Sequence, residues 1–358
     1  MRFFFKTDYN QDLALFRDTV DRFWYALLLA VLLAAPFVLE DFWLGEISNV
    51  FILSVVGLGL MILTGFTGQV SLGHAAFLGI GAYTHAVLLK LGIPMVVTIP
   101  AATLAAALVG AVIGFPALRL TGIYLAIATL AFAFIIEQIL IRWESVTGGF
   151  AGFPVPHPEF LGLGITDDRP FYYLTFVALV LALWVARNLL RSPTGRAFIA
   201  IRDSEIAAQS TGVNLAAYKT LAFAISAGFC GFAGALFAHR IGYLAPDAFG
   251  ILLSIQLLLM VVVGGLGSLH GAIFGAIFVG ALPQMIAILR DYLPDRVAHQ
   301  PGLEPGLFGL ILVFFILFEP LGLYGRWLKI KLYFALFPLY KKATFKRQKT
   351  YTKSERFR

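Results

Sequence analysis

Arg202, Asp203 and Glu205 fall within four positions of one another in a 358-residue chain of which only 13% is charged. They belong to the stretch IRDSEIAAQSTGVN, Ile201 to Asn214, which also carries Gln209 and several hydroxyls. Ser192-Pro193 upstream reads as an N-cap followed by proline at the first helical position. Arg202 and Glu205 are three apart and can share a helix face. Ile199, Ile206 and the alanines Ala207 and Ala208 supply an apolar side, and Gly212 terminates the helix. The expectation is one short amphipathic helix at a membrane surface, offering polar contacts to whatever lies beyond it. Taken by itself, the same pattern also fits a plain helical connector.

Two further stretches carry backbone rather than side-chain chemistry. Gly65-Phe66-Thr67-Gly68-Gln69-Val70-Ser71-Leu72-Gly73-His74 interrupts one apolar region, and Gly264-Gly265-Leu266-Gly267-Ser268-Leu269-His270-Gly271 interrupts another. At an offset of 197 they share Gly68 with Gly265, Ser71 with Ser268, Leu72 with Leu269, Ala75 with Ala272, Phe77 with Phe274 and Ile80 with Ile277. His270 aligns with Gly73, one position away from His74. Glycine-interrupted segments at matching positions are a pointer to a translocation site. Broken helix ends expose N–H and C=O groups that only protein or a wet cavity can satisfy. Such ends suit a zwitterion, with helix N-termini toward its carboxylate and carbonyls toward its ammonium. Gly68, Gln69, Ser71, Gly73, His74, Gly265, Gly267, Ser268 and His270 are therefore candidate pathway residues. Glycines that merely let helices pack closely are the competing reading. The repeats run parallel if every span is whole, and inverted if one is re-entrant.

Other chemistries find no constellation. The single cysteine, Cys230, cannot form an internal disulfide and sits in an apolar run as a packing residue. His85, His157, His239 and His299 are scattered with no partner at ligand or triad spacing, so no metal site and no enzyme is expected. No Gly-Lys dipeptide occurs, which removes a phosphate-cradling loop of the G-x-x-x-x-G-K-[ST] kind. Glu137, near the outer end of its apolar run, where Gln138 and Arg142 could pair it, is a thin basis for ion coupling.

The elements that must position these residues follow from composition. Hydrophobic residues make up 59% of the chain and the mean hydropathy is +0.86, whereas soluble domains are about half apolar and about a quarter charged. One globular core of this size cannot bury so much apolar surface, so lipid must cover it. The fold class is all-α, a polytopic integral membrane protein. A crossing needs about 20 mostly apolar residues. Ten runs qualify, at 23–39, 47–63, 70–91, 94–115, 120–141, 171–190, 219–241, 247–264, 270–289 and 305–323. Residues 1–22 hold four basic and four acidic side chains, too balanced for a signal peptide, so the first span is expected to be retained.

Ten spans place both termini on one side. That side, with Arg119, the 187–219 region and the tail from Arg326, holds 21 basic and 7 acidic residues, against 6 and 11 in the opposite loops. Lys and Arg mark the cytoplasm, so both termini are expected inside. The organisation is then a cytoplasmic segment 1–22, a membrane domain 23–325 containing the cytoplasmic loop 191–218, and a basic tail 326–358. The tail interleaves eleven Lys or Arg with aromatics directly after a span. That pattern favours lipid head groups over nucleic acid. The outer loop near 142–170 contains VTGGFAGFPVPHP, whose glycines and prolines suit ordered turns.

The stretches TGQVSLGHAAFLGIGAY, LTGIYLAIATLAFAFI, AIRDSEIAAQSTGVN, KTLAFAISAGFCGFAGAL and LLLMVVVGGLGSLHGAIFGA together resemble the LivM family, from about residue 50 to 330, in order and at similar spacing. These are permease subunits of leucine/isoleucine/valine ABC importers. Ala207-Ala208, three residues, then Gly212 fits the second part of the importers' loop motif, while Glu205 lies one position before its expected acid. The resemblance implies an ABC-importer permease fold in a bacterial inner membrane. It implies a second related permease subunit, two cytoplasmic ATPases that bind the ATP, and a periplasmic amino-acid-binding protein. The chain itself would need no cofactor. The coupling contacts carried over are Arg202, Asp203, Glu205, Ala207, Ala208, Gln209 and Gly212. Urea or short amides are rival cargoes for the same architecture. An ion-coupled secondary transporter and a passive channel are the rival mechanisms.

Overall fold

All ten apolar runs become helices in the computed structural model, which describes residues 19–117, 120, 122–156, 159–160, 163–164, 167–290, 303–318 and 321–336. The long helices are α1 (Thr19–Val38), α2 (Asp41–Leu60), α3 (His74–Lys90), α4 (Met95–Ala117), α5 (Ile123–Arg142), α7 (Asp168–Arg191), α10 (Leu215–Ile241), α11 (Ile251–Gly264), α12 (Leu269–Arg290) and α13 (Leu303–Phe318). Between them lie the short α6 (Glu144–Thr147), α8 (Pro193–Asp203) and α9 (Glu205–Ser210), and α14 (Gly322–Leu336) follows. Among the described residues seven helical segments are long and apolar enough to cross a membrane: α2 with its extension, α4, α5, α7, α10, α11 with the turn before it, and α12. Helices α3 and α13, at 17 and 16 residues, are shorter, as is the apolar part of α1, Arg22–Val38. The protein is a multi-pass membrane protein.

Helix α10 is the centre, packing along α4, α3 and α2. Its sequence AISAGFCGFAGAL explains why. A Cβ on Gly231 would strike the Ala106 side chain and sit 2.8 Å from the Ala102 carbonyl, so α4 and α10 meet backbone to backbone. Without water to drive helices together, such close van der Waals packing supplies the association. Cys230 is buried beside it, as a packing residue should be. On α4 the stripe Leu104, Leu108, Val112 and Phe115 stays exposed, the face left for lipid or another subunit.

Helix α1 shows how the bundle repairs a broken backbone. Pro36 lacks the N–H that would bond the Leu32 carbonyl four residues back. The Tyr172 hydroxyl of α7 donates to that carbonyl at 2.8 Å, and Tyr173 donates to Leu33 O at 3.0 Å. At the end opposite the 192–214 loop, Arg240 and Glu46 pair at 3.1 Å, joining α10 to α2. There β1 (Phe153–Pro154) pairs antiparallel with β4 (Tyr243–Leu244), and β2 (Glu159–Phe160) pairs with β3 (Leu163–Gly164). The Tyr243 hydroxyl donates to Ala151 O at 2.6 Å, so the turn-rich loop after α5 is ordered where it is described.

The basic tail begins as a helix. Gly322 packs against Val263 O and Gly265, and Trp327 meets Phe274 edge-on, so α14 leans on the α11–α12 hairpin. Segment 1–18, the remaining tail from 337, Arg119, His157, His299 and Glu319 lie outside the described residues.

Candidate functional site

The charged loop is two helices rather than the single one expected. Ser192 caps α8, accepting from Gly195 N, with Pro193 in the first turn. Its inner face buries Ala197, Phe198 and Ile201. The chain then breaks at Ser204, whose backbone is extended (φ −164°, ψ 115°) and whose hydroxyl caps α9 by accepting from Ala207 N. Serine before Glu205 is an N-terminus signature in its own right, the signal that a single-helix reading passes over. The break puts Arg202 and Glu205 on different helices, so they do not pair.

Each charge instead has its own partner. Glu205 Oε1 lies 2.7 Å from Lys219 Nζ in the first turns of α10. Lys219 is only 5% exposed while Glu205 is 42% exposed. Arg202 gives Nε and Nη2 to Asp203 Oδ1 at 3.2 and 3.0 Å, and Nη1 to the carbonyl of Gly65 at 3.1 Å. On α9, Ala208 is buried, whereas Ile206 is 84% exposed, the reverse of its expected place on the apolar side. Gln209 and Gly212 line a shallow cleft with Glu205 and Lys219. Gly212 closes α9 at φ +89°, with Val213 N returning to Ala208 O. Asn214 caps α10 by accepting from Ala217 N at 3.1 Å.

The two glycine segments sit at this same end and run parallel: α2 and α11 arrive, α3 and α12 leave. Helix α2 widens into a π-helical turn over Met61–Phe66. Gln69 N, which a continuing α-helix would give to Gly65 O, goes to Leu63 O at 3.1 Å. The chain then runs irregularly to Gly73, with a bend at Leu72, and α3 starts beside Ser226, eleven residues inside α10, or about 16 Å along it. Neighbouring helices satisfy the broken backbone: Leu72 N donates to Thr129 Oγ1 (3.0 Å) and Ala75 N to Ser254 Oγ (3.3 Å).

His74 is the buried hub. Its Nε2 is 2.8 Å from Ser226 Oγ, and Ser226 spends its one hydroxyl proton on Gly59 O at 2.7 Å. Nε2 must then donate, which leaves Nδ1 to accept from Ser71 Oγ at 2.9 Å. Ser71 also accepts from Gly73 N, and its repeat counterpart Ser268 accepts from Gly271 N, so the matched serines both tie down the start of the following helix. His270 keeps different company, between the Tyr25 hydroxyl (2.9 Å) and the stacked ring of Tyr324. Among the described residues Gln69 Oε1 is a buried acceptor without a partner.

Gly68 and Gly265 both hold positive φ, at 76° and 110°, and Gly267 at 81°. A Cβ on Gly65 would sit 2.8 Å from Gly267 N, so the two breaks touch. The residues that sequence reasoning missed here are Lys219, Thr129, Ser226 and Ser254, all polar positions inside apolar runs. It also missed His85 and His239, 2.8 Å apart between α3 and α10. Among the described residues no group of three or more His, Cys, Asp or Glu is placed to hold a metal.

Residues 44–316 match the family described as branched-chain amino acid transport system / permease component. The chain is 35% identical over 311 residues to the high-affinity branched-chain amino acid transport system permease protein LivM of Escherichia coli (strain K12), covering 80% of this chain and 72% of that protein. It is 28% identical over 263 residues to the autoinducer 2 import system permease protein LsrC of Salmonella typhi, covering 68% and 69%. Among solved structures, PsaBC from Streptococcus pneumoniae in complex with Fab overlaps 85% of this chain and 99% of that chain, at 15% identity and a TM-score of 0.41.

Proposed function

This chain belongs to the family of branched-chain amino acid transport permease components, and from that premise we propose that it is the membrane-spanning subunit of an ATP-driven importer of leucine, isoleucine and valine. It works with a second, related permease, two cytoplasmic ATPases and a periplasmic binding protein. ATP binds the ATPases and not this chain. The protein lies in the inner membrane with both termini inside, as its charge bias favours.

The observation that carries this reading is the display of α9. A six-residue helix is anchored through Ala208 and the Glu205–Lys219 pair, yet holds Ile206 out at 84% exposure. An isolated helix that short is not stable in water. An anchored one with an exposed aliphatic tip and polar flanks fits insertion into a groove on a soluble ATPase. In this reading Asp203, Gln209 and Gly212 flank the contact, and closure of the ATPases moves the loop and opens the path. The non-helical segment Gly68–Gly73 lines that path. The free Gln69 Oε1 is an acceptor for the substrate ammonium, and unwound backbone of this kind suits a zwitterion.

The test is affinity purification of the tagged chain from gently solubilised native membranes, followed by uptake in proteoliposomes. Co-purification of two ATPases and a second permease, with ATP-dependent leucine uptake, is expected. Recovery of the chain alone, with cation-driven uptake, would replace the importer with an ion-coupled carrier. Competition by urea or acetamide but not by leucine would change the cargo.

A further inference from the structure

Three parts of the molecule meet at one side chain. Arg202 lies in the last turn of α8, two residues before the break at Ser204. Its Nη1 takes up the Gly65 carbonyl, the acceptor that Gln69 N abandons when α2 stops. Its stem crosses Gly68, where a Cβ would lie 3.2 Å from Arg202 Cγ. The same Nη1 would lie 3.2 Å from a Cβ on Gly267, in the second glycine turn. The turns themselves touch there, because a Cβ on Gly65 would lie 2.8 Å from Gly267 N, and Gly267 N lies 3.2 Å from Met61 Sδ. Asp203 holds Nε and Nη2, fixing the guanidinium plane so that its remaining edge points inward.

We propose that Arg202 is a positioning residue that transmits movement of the loop helices to the two glycine turns, rather than a docking contact for the ATPase. This rests on the importer reading above. Three features make the linkage mechanical. The planar, always-charged fork suits a fixed two-sided contact that a lysine ammonium cannot reproduce. The Gly65 carbonyl sits at the exit of a π-turn, where the helix has already lost its regular ladder and can change arrangement at low cost. Only Ser204 separates α9 from α8, so a push on α9 reaches α8 and Arg202 together. When α9 is displaced, Nη1 leaves Gly65 and the Gly65–Gly267 junction is free to part. Asp203 keeps the guanidinium paired while it is detached.

The experiment uses the complete complex in proteoliposomes, comparing the natural chain with Arg202→Met and Arg202→Lys. Four readouts apply: ATPases retained per permease, ATP hydrolysis, leucine taken up per ATP, and amide exchange over residues 61–73 and 265–268 with and without ATP. For Arg202→Met both ATPases should remain and hydrolysis continue. Uptake per ATP should fall on the order of ten-fold, within the range of about 5- to 150-fold typical of coupling between sites. Exchange in both turns should rise and lose its dependence on ATP, a signature that simple destabilisation would not produce. Arg202→Lys should be intermediate, keeping a donor for Gly65 without the planar fork that Asp203 holds in place. Unchanged uptake per ATP in Arg202→Met would overturn the proposal. Loss of the ATPases from that variant would also overturn it, making Arg202 a docking contact. If the natural complex itself shows no ATP-dependent uptake, the importer reading fails, and the linkage with it.

Discussion

Replacing Glu205 by Gln should loosen α9 far more than the exposure of that side chain suggests. The Nζ–Oε1 separation is 2.7 Å, and at an effective dielectric of about 20 two unit charges so placed attract by about 6 kcal/mol. Glu205 is 42% exposed, so water screens much of this, and fully exposed pairs are worth about 0–1 kcal/mol. Lys219, only 5% exposed, stands at the other limit, where removing one partner of a buried pair costs about 3–5 kcal/mol. A value near 2 kcal/mol follows, which at 1.4 kcal/mol per decade is roughly a thirty-fold change in local opening. The assay is hydrogen exchange of the α9 amides that bond within the helix, Ala208 N to Ser204 O and Thr211 N to Ala207 O, since local opening governs their exchange. The single variants should be asymmetric. Glu205→Gln strands a buried ammonium, whereas Lys219→Met leaves a carboxylate that water can reach. The double variant should therefore exchange more slowly than Glu205→Gln alone. Equal effects from the two single variants, or unchanged α9 exchange in Glu205→Gln, would refute the reasoning.

Ser226→Ala removes the acceptor for His74 Nε2 and the donor to Gly59 O. At about 0.6 kcal/mol per interhelical bond in membranes, and up to about 1.7, a loss of about 1–3 kcal/mol is expected, measured by thermal unfolding in detergent. Tyr172→Phe should cost about 1 kcal/mol by orphaning the Leu32 carbonyl. In a Pro36→Ala background that cost should shrink toward zero, because residue 36 then supplies its own N–H. Gly231→Ala should destabilise by about 1–3 kcal/mol through overpacking against Ala106, whereas Gly306→Ala, with nothing among the described residues near its added Cβ, should be neutral or slightly stabilising.

Much of this was legible in one dimension. Every apolar run of the right length became a helix. The boundaries differ mainly where capping residues intervene: Asn214 starts α10 at Leu215, four residues before the expected span. The Ser192-Pro193 start and the Gly212 stop of the loop stand as read, because both act through local backbone geometry. The Ser204 break was equally local but was hidden by the helix-compatible residues on either side. The direction of Ile206 was not local: which face of a six-residue helix is buried depends on where α10 lies. His85 and His239 look unrelated at a separation of 154 residues and become bonded only when α3 packs on α10.

Sequence alone determined that this chain lives in lipid, where its helices run, where two of them are broken, and to which family it belongs. Those properties are sums over neighbouring residues: transfer free energy along a span, the missing Cβ of a glycine, the cap that starts a turn. Tertiary structure alone decided which polar groups meet. Arg202 finds Gly65 across 137 residues, His74 finds Ser226 across 152, and Tyr25 finds His270 across 245. Where such a group is buried in the bundle, as His74 is, no water waits to satisfy it, so it takes the partner that the helix arrangement brings beside it, and that arrangement is a property of the whole bundle.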